Sequence, residues 1–523
     1  MSAKEQNLSQ LAIDLGLRET DTTTAIDRIA YDLLYAMDGK SPKIDAEIKR
    51  VFKEWSGSDW FKENDAVTAQ LLVGPPGHGK TTAFKEAGKK VAKALGMRYL
   101  ENADLDTVPL HDEYEKNALG EIIKNADGNP KIIKRGIDPE KDFVLVTQEA
   151  AGVVSALEWL GLPRAIKLGH GVEAMGRLYS ERLLKAQKAG GSIILLDDFL
   201  NASPSIQNVG LSLAEERRFN DLNLTNSLIG LTGNLGAHDG TNTSRLSTAL
   251  RNRCRIFFIQ DKLDDFVYRA QTRWTDQFGD VATLGFLRRS NEHFAKLPNL
   301  KQVGGFPSPR SWDKVIIANR RAVIRAGGSL AHALKDMIDE ASSLLGLEVG
   351  QAYTAYMNAY IKSADPLARA AIMDGKFDRK DFKKQMENNM SGDHQYFAYQ
   401  FAMAASDYAA NKIAMDGGKL DVALPRFVDA VLSLDGPNFN LAIDNFKRGL
   451  ANKVESLSTM QSSKRGARLG REITMDIKQK ISNAFVGHPE CTTENRTNVI
   501  DVLSDSDKYQ SVASRRRQRG SST

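Results

Sequence analysis

Five short apolar runs between residues 69 and 259 each close on a small or polar residue, the pattern of strands buried in a parallel sheet. They are Ala69-Gln70-Leu71-Leu72-Val73, Phe143-Val144-Leu145-Val146-Thr147, Ile193-Ile194-Leu195-Leu196, Leu228-Ile229-Gly230-Leu231-Thr232-Gly233 and Ile256-Phe257-Phe258-Ile259. Helical periodicity fills much of the space between them. Residues 81–95 read as one helix, and 150–160 as another that Gly161-Leu162-Pro163 breaks. The 3.6-residue period then resumes over 172–188, leaving 162–168 as a loop between two helices. Near the start, Ser41-Pro42 caps a helix that places Ile44, Ile48, Val51, Phe52 and Trp55 on one face, a packing stripe.

Beyond residue 345 the pattern is helical, with amphipathic stretches over 395–415, 421–434 and 438–457. Tyr396, Phe397, Tyr399 and Phe401 read there as core, because no basic residue interleaves with them as a base-stacking platform requires. No internal repeat is expected.

The junction between the first apolar run and the first helix carries the strongest chemical signal. Gly74-Pro75-Pro76-Gly77-His78-Gly79-Lys80-Thr81 fits G-x-x-x-x-G-K-[ST] without a mismatch, in the strand-loop-helix setting the motif needs. Glycines let backbone N–H groups close around phosphate oxygens, and Lys80 supplies a cation for the β and γ phosphates. The Thr81 hydroxyl completes a Mg²⁺ shell, and Thr82 follows it in the first helical turn. ATP and Mg²⁺ are therefore the expected ligands.

What acts on the bound phosphate follows from two other strand ends. The run 193–196 delivers Asp197 and Asp198 to a C-terminal strand edge, where open α/β sheets bind ligands. Asp197 is suited to holding Mg²⁺ and Asp198 to polarising the attacking water, a job more often done by the longer Glu. Asn234, at the end of the run 228–233, is suited to orienting that water. Ala249-Leu250-Arg251-Asn252-Arg253-Cys254-Arg255 then supplies guanidinium groups, of which Arg253, with Arg251 as the alternative, is the candidate arginine finger offered to a neighbouring subunit.

In this order these elements resemble the AAA+ ATPases, and within them the MoxR branch and the related AAA subunits of metal chelatases. The likeness rests also on Asp197-Asp198-Phe199-Leu200-Asn201-Ala202-Ser203-Pro204, Gln207 and Ala214-Glu215-Glu216-Arg217, and it covers residues 40–330. Departures are the second Asp for Glu, one extra residue before Asn201, and Arg251-Asn252-Arg253-Cys254 where the branch commonly shows Leu-Asp-Arg-Phe. The resemblance implies an α/β P-loop core, a parallel sheet between helices, followed by a helical lid, while the helical periodicity beyond residue 345 implies an all-helical C-terminal domain.

The expected domains are an N-terminal helical segment at 1–39, the core at 40–262, the lid at 263–345, the C-terminal domain at 346–505 and a basic disordered tail at 506–523. Phe306-Pro307-Ser308-Pro309-Arg310-Ser311-Trp312 looks like the branch's Ser-Pro-Arg element at a helix start, which makes Arg310 the residue that touches the γ-phosphate from the lid. The loop at 162–168 falls where the family places an insert facing the ring pore, with Arg164, Ile166 and Lys167 as a grip on a client protein. The family further implies a homo-oligomeric ring, a hexamer, that remodels a client, sometimes with a partner carrying a von Willebrand A domain.

Composition sets limits on these readings. At 523 residues the chain is too long for one hydrophobic core. No run approaches the ~18 apolar residues of a membrane span and the start has no apolar signal core, so the cytoplasm is expected and no membrane partner is. Cys254 and Cys491 offer no disulfide framework or zinc cluster. A net charge of +5 does not mark the whole protein as a nucleic-acid binder. Basic residues do concentrate at Lys464, Arg465, Arg468 and Arg471 and at Arg515-Arg516-Arg517-Gln518-Arg519, so nucleic acid is a possible partner of the tail and a DNA-associated motor or loader in replication the alternative function. An ATP-dependent scaffold that scarcely hydrolyses, prompted by Asp198, is a third.

Overall fold

The computed structural model describes residues 8–58, 67–117, 119–125, 127–153, 155, 161–169, 172–241, 243, 247–273, 280–300, 303–327, 329–388, 394–416, 420–434, 436–460 and 479–504. The chain divides into two compact units, the first running to Lys262 and the second starting at Leu263.

The first unit is built on a seven-stranded sheet. Its strands are β1 (Arg18–Thr20), β2 (Ala69–Val73), β3 (Arg98–Leu100), β4 (Asp142–Glu149), β5 (Gly191–Asp197), β6 (Ser227–Gly233) and β7 (Cys254–Ile259). They run in the spatial order β1-β7-β2-β6-β5-β4-β3, and every neighbouring pair is parallel. Register explains why the chemistry gathers at one edge. Gly233 lies opposite Val73, and Leu231 opposite Leu196, so the residues that follow β2, β6 and β5 emerge side by side.

Residues 8–37 are woven into this unit. β1 adds an edge strand beside β7, and the helix Thr22–Met37 begins at Asp21, whose carboxylate accepts from the Thr24 amide at 2.6 Å. Its Ile29, Leu33 and Met37 join Phe84 from the helix Lys80–Ala94 and Phe143 and Ile193 from the sheet in one buried cluster. Helix Pro42–Ser56 starts at Ser41, which accepts from the Ile44 amide, and buries Ile44, Ile48, Val51 and Phe52. Trp55 is half-buried.

The stretch 172–188 is not one helix. Leu162–Gly169 and Val172–Leu178 form an antiparallel hairpin, and the helix covers only Glu181–Lys188. Val172, Ala174, Gly176 and Leu178 alternate in the sequence with Glu173, Met175 and Arg177 at the strand period of two. The loop expected at 162–168 is therefore a strand of this hairpin. Within the preceding stretch, 150–160, residues 154 and 156–160 lie outside the described residues, as do the tail and its arginines.

A second surprise lies between β3 and β4. Contrary to the expectation of no internal repeat, residues 113–136 carry an eight-residue one. Glu113/Glu121, Lys116/Lys124, Asn117/Asn125 and Ala118/Ala126 recur eight apart, with Gly120, Gly128 and Gly136 in register. Each asparagine closes the same turn: Asn117 Oδ1 accepts from the amides of Leu119 and Glu121, and Asn125 Oδ1 from those of Asp127 and Asn129. Backbone hydrogen bonds then run in a ring, from the Ile123 amide to Glu115, from the Lys131 amide to Ile123, and from the Glu115 amide to Lys131, at 2.8 to 2.9 Å. The repeat is eight residues long, far below the 20–50 of stacked repeat folds, and its third copy keeps little beyond the glycine.

The second unit is helical in its described residues. Helices Pro309–Arg325, Leu330–Leu345, Leu347–Ala359, His394–Met415, Ala423–Val431 and Gly436–Met460 share one core that includes Trp312, Tyr353, Phe382, Phe401, Phe427 and Phe439. Phe397 and Phe401 are buried within it, in keeping with a packing role. No helix among the described residues is long and apolar enough to cross a membrane.

Candidate nucleotide-binding site

The loop between β2 and the helix Lys80–Ala94 is shaped by its glycines. Gly79, the residue before the helix, has φ +78°, a left-handed conformation that side chains resist. A Cβ on Gly74 would stand 2.5 Å from the Ile259 carbonyl oxygen, so only glycine lets the loop start this close to β7. The helix N-terminus that follows carries a partial positive charge, the arrangement that receives phosphate.

Lys80 is buried and folded back onto the loop. Its Nζ donates to the carbonyls of Gly74 (2.8 Å) and Pro75 (2.9 Å) and to Asn234 Oδ1 (2.8 Å). Asn234, buried at the end of β6, in turn donates through Nδ2 to Asp198 Oδ1 at 3.1 Å. Thr81 Oγ1 donates to Asp197, with Oδ1 at 2.8 Å and Oδ2 at 2.9 Å. Asp198 has φ +51°, a strained turn out of β5 that Asp tolerates better than most residues at ~1–2 kcal/mol.

Sequence reasoning overlooked one participant, Thr232. Its hydroxyl donates to Asp197 Oδ1 at 2.5 Å and accepts from the Asp198 amide at 2.9 Å. The signal was present: a hydroxyl inside a wholly buried apolar strand, two residues before Asn234 and thus on the same face.

His78 is buried, and neither ring nitrogen has a hydrogen-bond partner among the described residues. Burial, helped by the neighbouring charge of Lys80, pushes its pKa down to about 3. The imidazole is therefore a neutral packing group. Pro75 is buried, Pro76 and Gly77 are partly so, and Thr82 is exposed on the first helical turn.

The remaining predicted residues lie on other elements. Arg253 ends the short helix Thr248–Arg253, where Nε donates to Glu215 Oε2 at 2.6 Å and Nη1 to the Ala249 carbonyl at 3.1 Å. Its side chain is 33% exposed. Arg251 is exposed on the same helix. Arg310 lies in the second unit, exposed in the first turn of Pro309–Arg325, which Ser308 caps by accepting from the Ser311 amide.

The donor set fits a phosphate-bound Mg²⁺. That ion takes one or two protein oxygens and completes its shell with phosphate and water, and the Thr81 hydroxyl at the helix N-terminus and the Asp197 carboxylate at the end of β5 are two such oxygens, hydrogen-bonded to each other. Among the described residues no group of three His, Cys, Asp or Glu stands ready to hold a metal without a ligand's help.

No family model matches the sequence, and no curated protein matches it. Among solved structures the chain is similar to the structure of C. elegans PCH-2, at 12% identity and a TM-score of 0.22, over 61% of this chain and 69% of that chain. A likeness this weak carries no argument. What stands by itself is a seven-stranded parallel sheet flanked by helices, followed by a helical region.

Proposed function

We propose that this protein is a Mg²⁺-dependent ATPase of the AAA+ class, resembling the MoxR branch, which hydrolyses ATP between ring subunits to remodel a client protein. The observation that supports it most is the meeting of Lys80, Thr81, Asp197, Asp198 and Asn234, from three adjacent strand ends, in one hydrogen-bonded cluster. Mg²⁺ in such a site neutralises phosphate charge and orients the oxygens being separated. Lys80 binds phosphate, while Thr81 and Asp197 hold the cation. Asp198 draws a proton from the attacking water, which Asn234 orients. Arg253 of a neighbouring subunit offsets charge developing on phosphate, and Arg310 senses its loss from the helical lid.

In this reading the hairpin Leu162–Gly169 and Val172–Leu178 is the client-facing insert, with Arg164 exposed on it. The deciding experiment measures phosphate release against protein concentration. A turnover per chain that climbs as rings assemble is expected. A chain that turns over equally well when diluted to monomer would reject shared pockets, and turnover strongly stimulated by DNA and abolished by salt would favour the nucleic-acid motor instead.

A further inference from the structure

We propose that Thr232 is the positioning residue that sets both acids of the site at once, which rests on the ATPase reading above. One hydroxyl does two jobs with the two hydrogen-bonding capacities it has. Its proton goes to Asp197 Oδ1 at 2.5 Å, and its oxygen accepts from the Asp198 backbone amide at 2.9 Å. Thr232 has no exposed surface, so water cannot substitute in either role.

The two bonds fix different things. On Asp197, Thr232 and Thr81 approach the same carboxylate, so its oxygens are aimed across the gap between β5 and the helix Lys80–Ala94. On Asp198, the bond holds the amide at the point where the chain leaves β5 in a left-handed conformation, φ +51°. The Asp198 side chain departs from that fixed turn toward Asn234, its partner at 3.1 Å. Thr232 on β6 and Asn234 just past its end thus grip backbone and carboxylate of the same residue. Loss of the hydroxyl frees the acid that holds the cation and the acid that faces water together, whereas loss of Asn234 frees only the second.

The test compares Thr232→Val, which keeps the shape and removes the hydroxyl, with Thr232→Ser, which keeps the hydroxyl. Binding of a fluorescent ATP analogue is titrated with Mg²⁺ and with EDTA, and phosphate release is followed over a Mg²⁺ series. For Thr232→Val we expect wild-type binding in EDTA, a Mg²⁺ requirement raised about 10- to 100-fold, and slow turnover that saturating Mg²⁺ does not restore. Thr232→Ser should recover both.

A Val variant with the wild-type Mg²⁺ requirement and turnover overturns the assignment while leaving the ATPase reading intact. Wild-type protein that fails to bind or hydrolyse the nucleotide overturns the reading itself. If Thr232→Val melts below the assay temperature by circular dichroism, Thr232→Ala and Thr232→Ser are compared instead, since both lack the methyl and differ only in the hydroxyl. Equal Mg²⁺ dependence in that pair likewise rejects the role.

Discussion

Asn234 ties Lys80 to Asp198, accepting from Lys80 Nζ at 2.8 Å through one end of its carboxamide and donating to Asp198 Oδ1 at 3.1 Å through the other. Lys80 and Asp198, the proposed phosphate-binding cation and water-activating acid, therefore share one neutral partner, 154 residues from the first and 36 from the second. Asn234→Ala should leave nucleotide binding largely intact, because Lys80 keeps its two loop carbonyls. Phosphate release should fall about 100-fold, the order seen when an aligned polar group is removed. Equal losses of binding and turnover would count against an orienting role.

Lys80→Ala and Asp198→Asn should separate in opposite directions. The first removes the only group in the cluster that is a cation and should abolish binding of a fluorescent ATP analogue. The second keeps the shape and the bond to Asn234 but cannot take a proton, so ATP should stay bound without turnover. If Asp198→Asn turns over at the wild-type rate and that rate is near background, the protein is a nucleotide-dependent scaffold.

Arg253 is held by Glu215 in an ion pair whose two side chains are 33% and 54% exposed, worth at most ~1 kcal/mol. Arg253→Ala should therefore melt within a few degrees of wild type and still bind nucleotide, yet lose hydrolysis. Mixing it with Asp198→Asn should restore part of the turnover, since a mixed ring contains junctions with both residues intact. Intact mixed rings without any recovery would exclude action across subunits.

His78 predicts a pH dependence of stability. Its folded pKa is pushed from 6.5 to about 3, so the unfolded chain binds a proton that the folded chain refuses. Stability from this residue is fully present above pH 6.5 and is lost as the pH falls toward 3, by ~2 kcal/mol between pH 6.5 and 5. Denaturant unfolding of His78→Leu should show a shallower loss over that window than wild type. Parallel curves would mean the imidazole is not shielded.

The sequence made the site legible wherever a residue's chemistry contradicts its surroundings. Glycines before a Lys-Thr pair, acids closing an apolar run and an Asn closing another all stand out, and the strand beginning at Ala69 was read to its observed limits. Thr232 was missed because threonine also suits a strand for purely conformational reasons, so its hydroxyl raised no alarm. The hairpin was missed because Gly161-Leu162-Pro163 reads as a break that opens a loop, and the seven residues 172–178 are too few to separate a period of two from one of 3.6 when a helix follows them directly. β1 was missed because a three-residue edge strand is defined by its partner Phe257–Ile259, not by its own pattern. Thr81 and Asp197 could be assigned separately from sequence, but only folding shows their oxygens 2.8 Å apart.

The ring of backbone bonds through Glu115, Ile123 and Lys131 has a consequence for how this chain tolerates change. Because each short segment pairs with both others, the excursion leaves little open edge to recruit a foreign strand. Its neck is also clasped, the Gly136 amide donating to Asp112 Oδ1 at 2.7 Å. Entry and exit meet at one point on the host, so the bead should be exchangeable as a cassette: replacing it with a tight turn, or with a different bead, is expected to alter what the surface offers without asking the seven-stranded sheet to move.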